Sequence, residues 1–227
     1  MLSIFSVRRI GLAVLACAAV AGTYLLALQL YGNFHTVIPG ELYRSATPTP
    51  ERLERYHELH GIKTVVNLRG HGEDAPWFTR EVATARRLGI AHRDFPMSAS
   101  RELTSEQAAK LVKLLKEAEK PILIHCKAGA DRSGLISALY MSAVAGISRE
   151  EAGKQLSVFY GHLGVPYLSP THAMDRSWAA LGNVFLPDPS SSGEAGQPTS
   201  REEDRDRRNA VQEDGGLLTS LPASAVR

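Results

Sequence analysis

Cysteine is scarce in this sequence: among 227 residues only Cys17 and Cys126 carry a thiol. Cys17 lies in an apolar N-terminal run, so the rest of the chain holds a single cysteine and cannot close an internal disulfide. A lone thiol is commonly a buried, inert apolar group, and the neighbours of Cys126 decide whether this one is. Charge of one sign is also missing. Lys and Arg number 26, Asp and Glu 24, for a formal net charge of +2. Without a Lys/Arg stripe interleaved with aromatics, that balance excludes a nucleic-acid binder. No His/Cys/Asp spacing suits a metal, no cofactor is expected, and no internal repeat is present.

Long apolar runs are missing too, except one. Arg8 and Arg9 precede Ile10 to Leu30, 21 residues, and ~20 residues cross a bilayer core. A signal-peptide core is shorter, roughly 7–15 residues. Ala19-Val20-Ala21 has the small-x-small form of a cleavage site, but cutting there strands Thr23 to Leu30 as an apolar stub. An uncleaved anchor is therefore preferred over a signal. The positive-inside rule leaves Arg8 and Arg9 in the cytoplasm and the domain across the membrane, which in a bacterium is an inner-membrane anchor with a periplasmic domain. Beyond this run no other apolar loop is evident. Residues 1–30 thus read as anchor or signal and 31–186 as one domain. The Ser-, Gly-, Pro- and Glu-rich segment 187–227 reads as a disordered tail.

Within the domain, strands and helices alternate. Tyr31 to Ile38 reads as a connection and Leu42-Tyr43-Arg44 as a short strand. A helix capped by Thr49 with Pro50 first runs to about His60, where Gly61 stops it. Ile62 to Leu68 is a buried strand, a helix capped by Asp74 covers Ala75 to Leu88, and Ile90 to Met97 is another strand. Thr104 and Gln107 fit a capping box. Pro121 to His125 is a third apolar strand, followed by helices from Ser133 to Ala145, Ser148 to Tyr160 and His172 to Leu181. The alternation predicts an α/β fold: a central, mostly parallel sheet flanked by helices on both faces.

His125-Cys126-Lys127-Ala128-Gly129-Ala130-Asp131-Arg132-Ser133-Gly134 follows a buried strand and opens a helix. Ligands of open α/β sheets bind at the carboxyl ends of strands, and a helix N-terminus attracts anions. Small residues at Ala128, Gly129 and Ala130 let the chain curl until successive N–H groups converge. Arg132 adds a planar fork suited to two phosphate oxygens. The same positive field favours a thiolate at Cys126, a nucleophile toward phosphorus. Ser133 is placed to hydrogen-bond the sulfur and assist its departure, and His125 reads as support for the loop.

This segment resembles the Cys-x5-Arg signature of the protein tyrosine phosphatase superfamily. Its form His-Cys-x-x-Gly-x-x-Arg-Ser/Thr-Gly is met in full by His125 to Gly134. With Leu42-Tyr43-Arg44-Ser45 near the start, residues 35–180 resemble compact bacterial dual-specificity-like phosphatases. The resemblance implies a phosphomonoesterase working through a phosphocysteine, with a phosphorylated protein or a phospholipid as substrate. Relatives commonly supply an Asp as general acid from a loop about thirty residues before the Cys. Asp94 is 32 before it but falls in an expected strand, and the following loop holds only Glu102. Some relatives with Gly-x-Asp-Arg in the loop are thought to use that Asp, so the candidates stand in the order Asp131, Asp94, Glu102. Lys127 with Asp131 resembles loops that accept phosphoinositides or broad substrates, and the resemblance implies that Lys127 pairs a second substrate phosphate, against a plain solvated lysine at the rim.

Arg44, Arg69 and His71 are candidates for the border of the site, against a plain loop role. His162 and His172 read as surface or capping residues. Three functions remain open: a protein tyrosine or dual-specificity phosphatase; a phosphatase of lipid head groups such as lipid A or phosphatidylglycerol phosphate; and a phosphate-binding module without turnover.

Overall fold

The structure, a computed structural model, describes residues 4–71, 75–182 and 184. The expected cap at Asp74 and the tail from Pro187 lie outside the described residues.

An apolar helix, α1 (Ile4–Leu30), leads the chain. Strands β1 (His35–Ile38) and β2 (Leu42–Ala46) follow, then α2 (Pro50–His60), β3 (Thr64–Asn67), α3 (Pro76–Arg87) and β4 (Ala91–Asp94). The second half holds α4 (Ser105–Glu117), β5 (Ile122–Cys126), α5 (Asp131–Ala143), α6 (Arg149–Gly153), a 3₁₀ turn at Val158–Tyr160 and α7 (His172–Leu181). The sheet order is β1-β2-β5-β3-β4. β2, β5, β3 and β4 run parallel, and β1 lies antiparallel on β2. The sheet is therefore mixed, mostly parallel as expected, with one added edge strand. That strand falls in the segment read as a connection.

Side chains alternate across the central strands. Leu42, Val66, Ile122 and Ile124 face a core shared with Leu111 and Leu115 of α4 and Leu135 and Leu139 of α5. Tyr43, Val65 and Leu123 face the other side, against Leu53 and Tyr56 of α2 and Ala85 of α3. α5 is buried all round, from Ser133 to Ser142, because it lies between the sheet and the helices outside it.

The local signals for helix ends hold in two places. Thr49 Oγ1 accepts from Arg52 N, and Gly61 closes α2 at φ +66°, a backbone angle that glycine adopts without strain. The Thr104–Gln107 capping box is formed in both directions. Elsewhere the structure corrects the expectation. α3 opens at Pro76, one residue later than expected, after Ala75. β4 stops at Asp94, just before Phe95 and Pro96, although Phe95 N and Met97 N still bond to Asn67 O and Leu68 O. The helix expected from Ser148 to Tyr160 ends at Gly153. Past it the chain tightens into i→i−3 bonds, from Lys154 N, Gln155 N and Leu156 N to Glu151 O, Ala152 O and Gly153 O. A side chain at Gly153 would lie 2.9 Å from Trp178 Nε1.

The parallel register puts Ala46 beside Cys126, and His125, Asn67 and Asp94 in one row. The carboxyl ends of β2, β5, β3 and β4 therefore share one edge, where a doubly flanked sheet binds its ligand.

Candidate active site

Cys126 ends β5, almost wholly buried, and α5 starts at Asp131. The residues between form a tight loop that turns at Gly129, φ +71°. A Cβ there would lie 2.5 Å from Ala46 N and 2.6 Å from Ser45 C, so only glycine allows β2 to approach the loop.

The loop carbonyls are held from outside. Ala128 O accepts from Asn33 Nδ2 at 2.9 Å and Gln29 Nε2 at 3.3 Å. Gly129 O and Ala130 O accept from Arg44 Nη2 at 2.9 and 2.7 Å. With the carbonyls engaged there, the loop's N–H groups are left for the concave side. Arg44, a candidate for the border of the site, in fact stands behind the loop at 0% exposure. Its Nη1 also donates to Gln155 O and Oε1, and its guanidinium lies 4.3 Å from the Tyr160 ring centre. Burial lowers its pKa to about 10, opposed by negative charge at Cys126, Tyr160 and Asp131. It stays cationic at neutral pH.

Arg132 reaches across the pocket. Its Nη1 donates to Leu68 O, Arg69 O and Met97 O at 3.3–3.4 Å, which braces one end of the fork against the chain leaving β3 and β4. Its Nε is buried without a protein partner among the described residues. Ser133, fully buried, sets Oγ 3.5 Å from Cys126 Sγ. Lys127 is exposed at the rim. The structure thus gathers Cys126, Arg132, Ser133 and the Ala128–Ala130 backbone in one place.

Two buried carboxylate–histidine clusters flank the loop, and neither was foreseen. On one side Glu81 of α3, 1% exposed, bonds through Oε1 to His125 Nε2 at 3.0 Å and His92 Nε2 at 2.8 Å. Burial raises the Glu81 carboxyl, but the hydrogen bonds and charge of His125 and His92 outweigh it and the net shift is downward. On the other side His162, only 3% exposed, corrects the surface reading. Its Nδ1 is 2.7 Å from Asp131 Oδ1 and its Nε2 3.0 Å from Asp175 Oδ2. His172, at the start of α7, stands 3.4 Å from the same Asp175 oxygen. Burial lowers the His162 pKa, but its bonds to Asp131 and Asp175 and their charges dominate, so the net shift is upward from 6.5.

The other carboxylate candidates are engaged differently. Asp94 Oδ1 accepts from Asn67 Nδ2 at 2.8 Å at the end of the row beside the loop. Glu102 is exposed and paired with Arg176 Nε at 2.6 Å. Arg69 borders the site: its guanidinium stacks 4.1 Å over Trp77, and Nη1 reaches Thr47 Oγ1 at 3.3 Å. Its pKa is lowered by burial and by the nearby Arg132. A pocket of about 450 Å³ lined by Thr47, Arg69, Trp77 and Arg80 opens there. His71 instead stacks on Phe78, with 3.7 Å between ring centres.

A strand, a sulfur, a curled anion loop with its arginine and a helix are the parts of a cysteine phosphatase. The family model of the Swiss Army Knife protein, DSP-PTPase phosphatase domain, matches residues 32–175, and the chain belongs to that family. It is 32% identical over 125 residues to the dual specificity protein phosphatase TpbA of Pseudomonas aeruginosa, covering 55% of this chain and 53% of the relative. To the tyrosine-protein phosphatase cdc-14 of Caenorhabditis elegans it is 25% identical over 133 residues, 53% of this chain and 18% of the relative. The chain spans about half the length of TpbA and less of cdc-14.

Among solved structures, P. aeruginosa TpbA matches with a TM-score of 0.53 at 23% identity, over 66% of this chain and 85% of that one. The core catalytic domain of the PP-IP phosphatase SIW14 from S. cerevisiae matches with 0.51 at 21%, over 83% and 96%. At these identities the two structures speak to the fold alone.

Two outcomes follow from the loop's supports. Arg44→Met leaves Gly129 O and Gln155 O without donors, at about 1–3 kcal/mol each, and leaves Ala130 O only its bond from Gly134 N. A loss of about 3–5 kcal/mol in urea unfolding is expected. Because the His162 pKa is raised on folding, its contribution is fully present below the unfolded value of 6.5. That contribution is lost as pH rises through the folded value. The wild-type unfolding midpoint should therefore fall across that window relative to His162→Gln, measured by calorimetry from pH 5 to 9.

Proposed function

We propose that the protein is a cysteine-dependent phosphomonoesterase of the protein tyrosine and dual-specificity type. The observation that carries the reading is the buried, unpartnered Nε of Arg132 beside a loop whose carbonyls are already engaged on its outer side. An oxyanion in that loop satisfies Nε and the free N–H groups together. TpbA is known in a crystal structure in complex with phosphotyrosine, which supports an aryl phosphate as one substrate here.

Cys126 Sγ attacks phosphorus and the ester oxygen departs, taking a proton from the general acid. Arg132 and the amides of residues 127–132 hold the equatorial oxygens in the transition state. Water then attacks the phosphocysteine, and the sulfur leaves as a thiolate that the Ser133 hydroxyl stabilises. Asp131 is the preferred acid. Its Oδ1 lies 2.7 Å from His162 Nδ1, and that contact fixes the direction in which the carboxyl faces the site. His162 acts here as a positioning residue.

The head-group reading draws support from α1. This helix offers a candidate membrane span, Arg8–Leu30, and its last turn reaches the catalytic loop through Gln29. We read α1 as an inner-membrane anchor with Arg8 and Arg9 in the cytoplasm and the catalytic domain in the periplasm.

Cys126→Ser is expected to abolish hydrolysis of an aryl phosphate while leaving the unfolding midpoint near wild type; retained turnover refutes the mechanism. Among Asp131→Asn, Asp94→Asn and Glu102→Gln, only the first should lose the basic limb of the kcat profile, with a fall of about 100-fold or more. Loss of that limb in Asp94→Asn alone transfers the role to Asp94.

A further inference from the structure

The segment after α6 is unusual for a water-facing surface. No Asp, Glu, Lys or Arg occurs between Lys154 and Asp175. Within it Val158, Phe159, Leu163, Val165, Tyr167 and Leu168 are all exposed, Tyr167 and Leu168 most of all at 104% and 82%. Outside α1 and Tyr31, the only other large apolar side chains as exposed among the described residues are Leu59 and Val184. Soluble surfaces scatter such residues singly, and a contiguous group marks a contact surface. Sequence reading ran one helix through Val158 to Tyr160 and found no apolar loop beyond the N-terminal run. The structure gives these three residues a separate 3₁₀ turn and opens an apolar loop after them.

The segment's backbone is not loose. Gly161 N, His162 N, Leu168 N and Ser169 N bond to Val158 O, Ser157 O and, for the last two, Val165 O. Such a loop can carry apolar side chains into a low-dielectric layer without stranding these backbone donors.

The same segment packs against the end of α1. Tyr24 OH donates to Phe159 O at 2.6 Å. A side chain at Gly161 would lie 3.3 Å from Leu28 and 3.7 Å from Leu25. The run from Ile10 to Leu30 is about 31 Å long at 1.5 Å per residue, the thickness of one hydrocarbon core. Tyr24 to Leu28 then fall within its last ~10 Å, and whatever packs on them stands at the boundary of head groups and acyl chains. Amphipathic elements bury apolar side chains ~5–10 Å into that boundary, and tyrosine favours it.

We propose that residues 158–168 form a second membrane contact, a lipid-inserted loop that seats the catalytic domain on the bilayer beside α1. This rests on the reading of α1 as a membrane helix. The consequence for the site is direct. His162, inside this loop, bonds Asp131, and Asn33 Nδ2 joins Ala128 O to Tyr160 O. The phosphate loop is thereby fixed at head-group level, where a phosphate on a membrane lipid, rather than on a freely diffusing molecule, meets it.

The test uses the full chain in nanodiscs of ordinary or brominated phosphatidylcholine, which quenches nearby tryptophan. Phe159→Trp, Tyr167→Trp and, as the anchor control, Leu26→Trp are each compared with the parent protein, whose Trp77 and Trp178 give the background. The expected result is loss of the added emission at all three positions. Quenching at Leu26→Trp with none at Phe159→Trp and Tyr167→Trp overturns the inserted loop and leaves the anchor standing. No quenching at Leu26→Trp overturns the anchor, and this inference with it. Leu168→Glu adds an activity readout. It should lower turnover of a phospholipid monoester in the disc several-fold while aryl phosphate turnover stays within twofold, and equal loss on both substrates counts against the proposal.

Discussion

One buried guanidinium organises this molecule. Arg44 gives up its hydration entirely and recovers it through the carbonyls of Gly129, Ala130 and Gln155 and the side chain of Gln155. Taking a cation out of water is costly unless its donors find acceptors, and here both terminal nitrogens do, while Nε has no partner among the described residues. Two of the acceptors, Gly129 O and Ala130 O, are backbone groups that must face away from a bound anion. The arginine thus settles two problems with one set of bonds: its own desolvation and the orientation of the loop. A neutral donor set could turn the carbonyls, but it would not add positive potential behind the sulfur, which the interaction between Arg44 and Cys126 supplies.

The two histidine–carboxylate clusters extend the same logic to either side. Glu81 joins His125, the residue before the nucleophile, to His92 of β4. It ties the floor of the site to α3 and the outer strand. His162 joins Asp131, at the start of α5, to Asp175 of α7. The first cluster, with Glu81 and His125 fully buried, fixes position. The second stands beside the expected reaction path, since the side chain of Asp131 is 21% exposed and that of Asp175 33%.

What could be read from the chain and what could not divides along a physical line. The anion loop is contiguous, so its strand, its small residues, its arginine and its helix all stand within His125 to Gly134, and local rules suffice. Thr49-Pro50 and Thr104–Gln107 were legible for the same reason. Arg44, Glu81 and His162 were not, because each acquires its meaning from a partner at least 31 positions away, as in His162 with Asp131. Nothing local distinguishes a buried arginine on β2 from one at the pocket rim. β1 escaped because four residues paired to one edge leave little periodic signal. α6 was drawn too long because Gln155 O is taken by Arg44, far up the chain, where the continuing helix would need it. In that case tertiary contact overrode propensity.

Asn33 carries a practical consequence. It sits just past α1, buried, with φ +46°, and its single amide nitrogen serves carbonyls from the anion loop and from Tyr160. His35 Nε2 meets its other side-chain atom at 2.8 Å. Shortening the chain to obtain a water-soluble catalytic fragment must therefore stop upstream of this residue. A start a few positions later would strip the outer wall of the loop while leaving all of the family signature intact.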